Sequence, residues 1–185
     1  MIVSLIRHGK TQGNIEKRYI GKTDEPLADI GIDELKKHSY PDCEIVYTSP
    51  MLRCTQTAAI IYPDKEKVII DSFRECDFGV FEGHNYNELS GNPLYQQWID
   101  SYGTMDFPEG ERIEDFKERT VNAFAELIAR TEKKNIAIVA HGGTIMTLLW
   151  YFEEKHDYYA WQAGNGCGFV CDYNDGIIKV TGKIE

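Results

Sequence analysis

Six segments of the chain have the length and apolar content of strands: Ile2–Ile6, Ile45–Thr48, Val68–Asp71, Ile136–Ala140, Gly168–Tyr173 and Ile177–Lys183. Ile2–Ile6 and Ile136–Ala140 are nearly unbroken apolar runs, the pattern of strands covered on both faces. Helical patterns lie between several of these segments. Ile30–His38 follows a loop rich in Gly, Asp and Pro, and Ser49-Pro50 reads as an N-cap and first helical residue for Met51–Ile61. In Arg112–Lys133 the residues Phe116, Val121, Phe124, Leu127 and Ile128 make one apolar stripe. Strands alternating with helices predict an α/β fold of three layers, α/β/α, around a mainly parallel sheet. Tyr173-Asn174-Asp175-Gly176 is a hairpin turn signal, so the last two strands are expected to form an antiparallel edge. No linker or repeat divides the chain, which reads as one domain over residues 1–185. Its least regular part is Gly83–Gly110, where turn signals flank a short aromatic helix, Leu94–Tyr102; this segment is the expected lid.

Both continuous apolar runs end in the same way. The first leads into Arg7-His8-Gly9, with Thr11 and Asn14 beyond, and the other into His141-Gly142-Gly143. The carboxyl ends of strands are where open α/β sheets place ligands. If the two ends are neighbours in one sheet, an arginine and two imidazoles meet, as a phosphate pocket requires. Arg53, in the first turn of the helix after Ser49-Pro50, adds a second guanidinium fork suited to paired phosphate oxygens.

Composition narrows the possibilities. With 42% hydrophobic and 27% charged residues and no apolar run near bilayer length, no membrane association is expected. A formal net charge of −10 argues against broad binding to nucleic acid, so an anionic ligand must be held by a local positive pocket. Met1 runs directly into the first strand without a signal-peptide pattern, and the five cysteines form no Cys-x-x-Cys pair; both point to the cytoplasm. The histidines and carboxylates show no metal-ligand spacing, and no metal or other cofactor is called for. His38 and His156 read as solvated histidines, and His84, beside the lid, as a candidate for substrate contact.

Arg7-His8-Gly9-x-Thr11-x-x-Asn14 resembles the signature of the histidine phosphatase superfamily, the phosphoglycerate-mutase-like proteins. Arg18, Gly21, Asp24, Pro26, Leu27 and Gly31 match the family's next loop, and Ser49-Pro50-x-x-Arg53-x-x-x-Thr57-Ala58 its second signature. Phe73-Arg74-Glu75-x-Asp77-Phe78-Gly79-x-Phe81-Glu82-Gly83, Gly110-Glu111 and His141-Gly142-Gly143 follow in the family's order. The resemblance implies that His8 attacks phosphorus, that Arg7, Asn14, Gly21, Arg53, His141 and Gly142 bind the phosphoryl group, and that Glu75 is the proton donor. Glu75 has neighbours of the same chemistry in Asp77 and Glu82, and only the resemblance selects it; Glu82 reads as a tie between lid and core. Tyr19, Tyr86, Tyr95, Trp98 and Phe107 are candidates for an aromatic leaving-group pocket, with helix packing as the alternative. Lys10 departs from the family's Glu or Gln and is expected to add positive charge beside the pocket, and Arg112 stands where a small hydroxyl residue is common. The segment Gly83–Gly110 resembles the compact phosphatases, including α-ribazole phosphatase and broad-specificity sugar phosphatases, and lacks the mutases' paired-arginine insertion. The implied function is hydrolysis of small-molecule phosphomonoesters by a monomer or homodimer. The alternatives are mutase-type phosphoryl transfer and a non-catalytic phosphoryl-binding module.

Overall fold

The computed structural model describes residues 1–153 and 157–185; His156 lies outside the described residues. The first strand, β1 (Ile2–Arg7), is followed by a single helical turn, α1 (Gln12–Ile15), and a short helix, α2 (Asp29–Leu35). Then come β2 (Ile45–Thr48), α3 (Leu52–Ile61) and β3 (Lys67–Ile69). After two 3-10 turns, α4 (Pro93–Asp100) and the long α5 (Ile113–Arg130) lead to β4 (Asn135–Ala140) and α6 (Gly142–Phe152). The chain closes with β5 (Gly168–Asn174) and β6 (Ile177–Ile184). The strands form one sheet in the order β3-β2-β4-β1-β5-β6. The first four in that order are parallel, whereas β5 runs antiparallel to β1, and β6 to β5.

Both faces of the sheet are covered, which is why its central strands are apolar throughout rather than alternating. Val3, Leu5, Ile136 and Ile138 point to a core completed by Phe124 and Leu127 of α5 and by Ile145, Leu148 and Leu149 of α6. Ile6, Val46, Ala137 and Val139 point the other way, against Cys54 and Ala58 of α3. The hairpin turn falls on Asp175-Gly176, both with positive φ (49° and 85°), so a two-residue primed turn joins β5 to β6 and Gly176 takes the left-handed position without a Cβ penalty.

Three expectations shift. The strand read as Val68–Asp71 is Lys67–Ile69, because Asp71–Phe73 turns into a 3-10 helix. Ser49 does not cap α3: the N-cap is Met51, and the Ser49 hydroxyl is engaged at the site described below. His38 stacks on Tyr40 at 6.3 Å between ring centroids and its Nδ1 is enclosed, so it is not a solvated surface histidine.

Candidate active site

In the β1–β4 pairing Arg7 stands opposite Ala140, so the residues that follow, His8 and His141, lie side by side at the carboxyl edge of the sheet. The backbone N–H of His8 still donates to Ala140 O (3.0 Å), and the two imidazoles meet edge to face with centroids 5.2 Å apart. The Thr11-x-x-Asn14 spacing has a local cause. Thr11 and Asn14 form a reciprocal capping box over α1, each side chain accepting the other's backbone N–H.

The Nδ1 of His8 lies 2.7 Å from Gly9 O. A carbonyl only accepts, so Nδ1 carries the proton and Nε2 keeps its lone pair. Burial, reinforced by the charges of Arg53 and Arg7, holds His8 far below the ordinary histidine range and therefore neutral. His141 is held low for the same first cause, followed by Arg53. Its Nε2 is 2.8 Å from Ser49 Oγ, and the buried Cys54 thiol, pushed up to about 12 mainly by desolvation, packs 3.5 Å from the same nitrogen.

Both arginines are fixed by backbone carbonyls and keep one donor in reserve. Arg7 donates through Nη1 to Ala163 O (2.8 Å), and Arg53 through Nη1 to Thr23 O and Nη2 to Gly21 O (2.8 Å each). The Nε–H of each is buried without an acceptor among the described residues. Such donors are costly unless an anion uses them. Gly21 serves the site through this carbonyl. Its own N–H donates to Glu82 Oε1 (2.8 Å), and a Cβ would collide with Cys76 O, so it is not free to bind substrate as the sequence reading expected.

A cavity of about 1010 Å³ opens in front of these groups. Arg7, His8, Asn14, Glu75 and Gly142 form its wall, whereas Arg53 and His141, fully enclosed, sit behind them. The N-terminus of α6 faces the cavity through Gly142 and Gly143, which favours negative charge there. Glu75 is the member of its trio that reaches the cavity. Asp77 is occupied by Gly79 N (2.9 Å) and Lys22 Nζ (3.0 Å), and Glu82 accepts from Gly21 N, Thr23 N and Phe78 N, tying its own segment to the loop at residues 21–23. The Glu75 carboxylate accepts from Cys76 N (3.0 Å) and Gly143 N (3.2 Å), yet burial outweighs these bonds and raises its pKa above the usual carboxylate range.

Tyr19, Trp98 and Phe107 line the cavity as expected; Tyr86 and Tyr95 do not, and His84 bonds to Glu82 O instead of facing it. Lys10 is also turned away. Its ammonium pairs with Glu34 at 2.8 Å, so it brings no free charge to the pocket.

Three residues escaped the sequence reading. Ser49 bonds His141. Arg119 of α5 grips Glu111 through two nitrogens (2.6 and 2.8 Å) and donates to the carbonyls of Ser72 (2.7 Å), Arg74 (2.9 Å) and Glu75 (3.1 Å), fixing the backbone that carries the carboxylate. Asn165 donates from Nδ2 to His8 O (3.2 Å) and to Asn14 Oδ1 (2.9 Å). With Thr11 N also donating to that oxygen (3.2 Å), the Asn14 amide can present only its NH2 to the cavity.

The comparisons agree with this geometry. The family model described as histidine phosphatase superfamily (branch 1) matches residues 3–182. An uncharacterized phosphatase, PhoE, of Bacillus subtilis is 32% identical over 156 residues, covering 80% of this chain and 75% of its own. A broad-specificity phosphatase of Saccharomyces cerevisiae is 29% identical over 185 residues, covering 91% and 78%. A solved structure described as a putative alpha-ribazole-5'-P phosphatase from Escherichia coli superposes with a TM-score of 0.87 at 25% identity, covering 98% of this chain and 94% of that one. The match over nearly the whole chain settles the family: the chain belongs to branch 1 of the histidine phosphatase superfamily and is a hydrolase of the histidine-phosphatase type.

Proposed function

We propose that this enzyme hydrolyses small-molecule phosphomonoesters through a phosphohistidine formed on His8. The observation that carries the reading is the pair of acceptor-free Nε–H groups on Arg7 and Arg53 beside a neutral imidazole whose tautomer leaves Nε2 unprotonated. In the first step the His8 Nε2 lone pair forms a bond to phosphorus as the P–O ester bond breaks, and the Glu75 proton passes to the departing alkoxide. The arginines, the Asn14 NH2 and the α6 N-terminus hold the phosphoryl oxygens as charge redistributes. In the second step water attacks phosphorus, the N–P bond breaks back to His8, and Glu75 takes the proton from water. The raised pKa of Glu75 suits both duties. His141 remains neutral and donates to the phosphoryl group. Residues 83–110 are read as the lid of a single domain, and the substrate as a sugar phosphate or α-ribazole phosphate, the latter being the substrate in the descriptions of similar proteins of Escherichia coli.

The test is covalent trapping. Enzyme mixed with labelled phosphomonoester and quenched in base should carry label on His8, and His8→Ala should carry none and lose turnover. Normal turnover in His8→Ala sinks the mechanism. Conversion of 3-phosphoglycerate to 2-phosphoglycerate without phosphate release would place the chain among the mutases instead.

A further inference from the structure

Besides Arg7, the arginines and lysines lining the cavity among the described residues are Arg18, Arg112 and Lys117. Two of these are already neutralised. Arg18 pairs with Glu16 and Glu88 (2.6 Å each), and Arg112 lies within 3.4 to 3.7 Å of carboxylate oxygens of Glu114, Asp115 and Asp106. Among the described residues the carboxylates on this wall apart from Glu75 are Asp106 and Glu114, and both lie against Arg112.

Lys117 differs. Among the described residues its ammonium has no carboxylate partner; it rests over the ring faces of Trp150 (4.4 Å to the centroid) and Tyr158 (4.9 Å). Aromatic faces steady a cation from one side and leave its three N–H donors without an acceptor. Lys117 is half-buried on α5, one residue beyond Phe116, whose ring end lies close to Gly143 at the α6 N-terminus. Partial burial is the larger influence on its pKa and lowers it, while the Glu114 carboxylate, which lies against Arg112, opposes that shift.

We infer that Lys117 forms a second anion subsite in the catalytic cavity, so that the preferred substrates are phosphomonoesters carrying a further anionic group, a carboxylate or a second phosphate. The inference rests on the phosphatase reading above and deepens it. The phosphoryl group occupies the Arg7–His8 end. The rest of the substrate spans the cavity, and its distal anion supplies the acceptors that Trp150 and Tyr158 cannot. The positive charge that the sequence led one to expect from Lys10 is thus provided from a different element.

The test compares matched ligands in wild type, Lys117→Met and Lys117→Arg. The pair 3-phosphoglycerate and glycerol 3-phosphate differs by a carboxylate in place of a hydroxymethyl group, and fructose 1,6-bisphosphate with fructose 6-phosphate differs by a second phosphate. Wild type should favour the doubly anionic member of at least one pair by about tenfold in kcat/KM, as expected for a hydrogen bond between charged groups. Lys117→Met should lose that factor and leave the singly anionic member within about twofold, while Lys117→Arg keeps the preference. Met retains an unbranched apolar stem, and an unchanged Tm confirms that the variant is folded. Dissociation constants of the same ligands, measured by titration calorimetry in the His8→Ala background, give a readout that survives failure of the phosphohistidine chemistry. Equal affinity for both members of both pairs, no measurable binding of any, or equal losses on both members in Lys117→Met would each overturn the subsite.

Discussion

Asn165 shows how a neutral side chain can decide the sign of a binding contact. His8 O can only accept and Thr11 N–H can only donate, so both amides between them are locked in one orientation. Removing Asn165 frees Asn14 to turn its oxygen toward a phosphate. Asn165→Ala is therefore expected to weaken vanadate inhibition about tenfold, the scale of one hydrogen bond to a charged group. In an Asn14→Ala background the same change should cost almost nothing, because the amide it orients is gone. A loss of equal size in both backgrounds would reduce Asn165 to a brace for its loop.

Among the elements, α5 reaches the backbone of Glu75 through Arg119, whose planar fork serves Glu111 and three carbonyls at once. Lysine keeps the charge but cannot reproduce the fork. Arg119→Lys should lower kcat for alkyl phosphates about tenfold and for p-nitrophenyl phosphate less than about threefold, since nitrophenolate leaves without Glu75's proton. Equal losses on the two substrates would mean that Arg119 braces the fold without positioning the acid. How legible such elements were depended on their pattern. The strands stood out because Ile2–Ile6 and Ile136–Ala140 are uninterrupted, and α5 because its apolar residues keep a helical period. Gly142–Phe152 was read only as a motif. Its run Ile145-Met146-Thr147-Leu148-Leu149-Trp150 is apolar nearly all round and shows no stripe. The motifs named Arg7, His8, Arg53, Glu75 and His141, but the sequence brought only Arg7, His8 and His141 to neighbouring strand ends. The partners that orient them were hidden, because Ser49, Arg119 and Asn165 act through side-chain hydrogen bonds to residues distant in sequence, which leave no periodic trace. Ser49 was misread because Ser-Pro is a strong helix-start signal, which its bond to His141 overrides.

For the molecule as a whole, two neutral imidazoles sealed beside two guanidinium groups make stability depend on pH. Both histidines are held well below 6.5, the value they regain on unfolding. Above about 6.5 neither state protonates them and their contribution is complete; as pH falls below it the unfolded chain binds protons that the folded one refuses, and stability declines. Between about pH 7 and about pH 5, Tm should drop further for the wild type than for His8→Asn, which removes one of the two groups. Identical slopes would show that His8 titrates alike in both states. The sheet order also sets a timetable. β1 is made early, yet its neighbours on either side are β4 and β5, which are made late. At roughly 5–20 residues per second, the interval between synthesis of Arg7 and of Asn174 is on the order of ten seconds. Until Asn135–Ala140 is made Ile2–Ile6 has two open edges, and until Gly168–Asn174 follows it has one, the condition in which a strand recruits other chains. The nascent protein therefore depends on being shielded by the cell until its own last strands arrive.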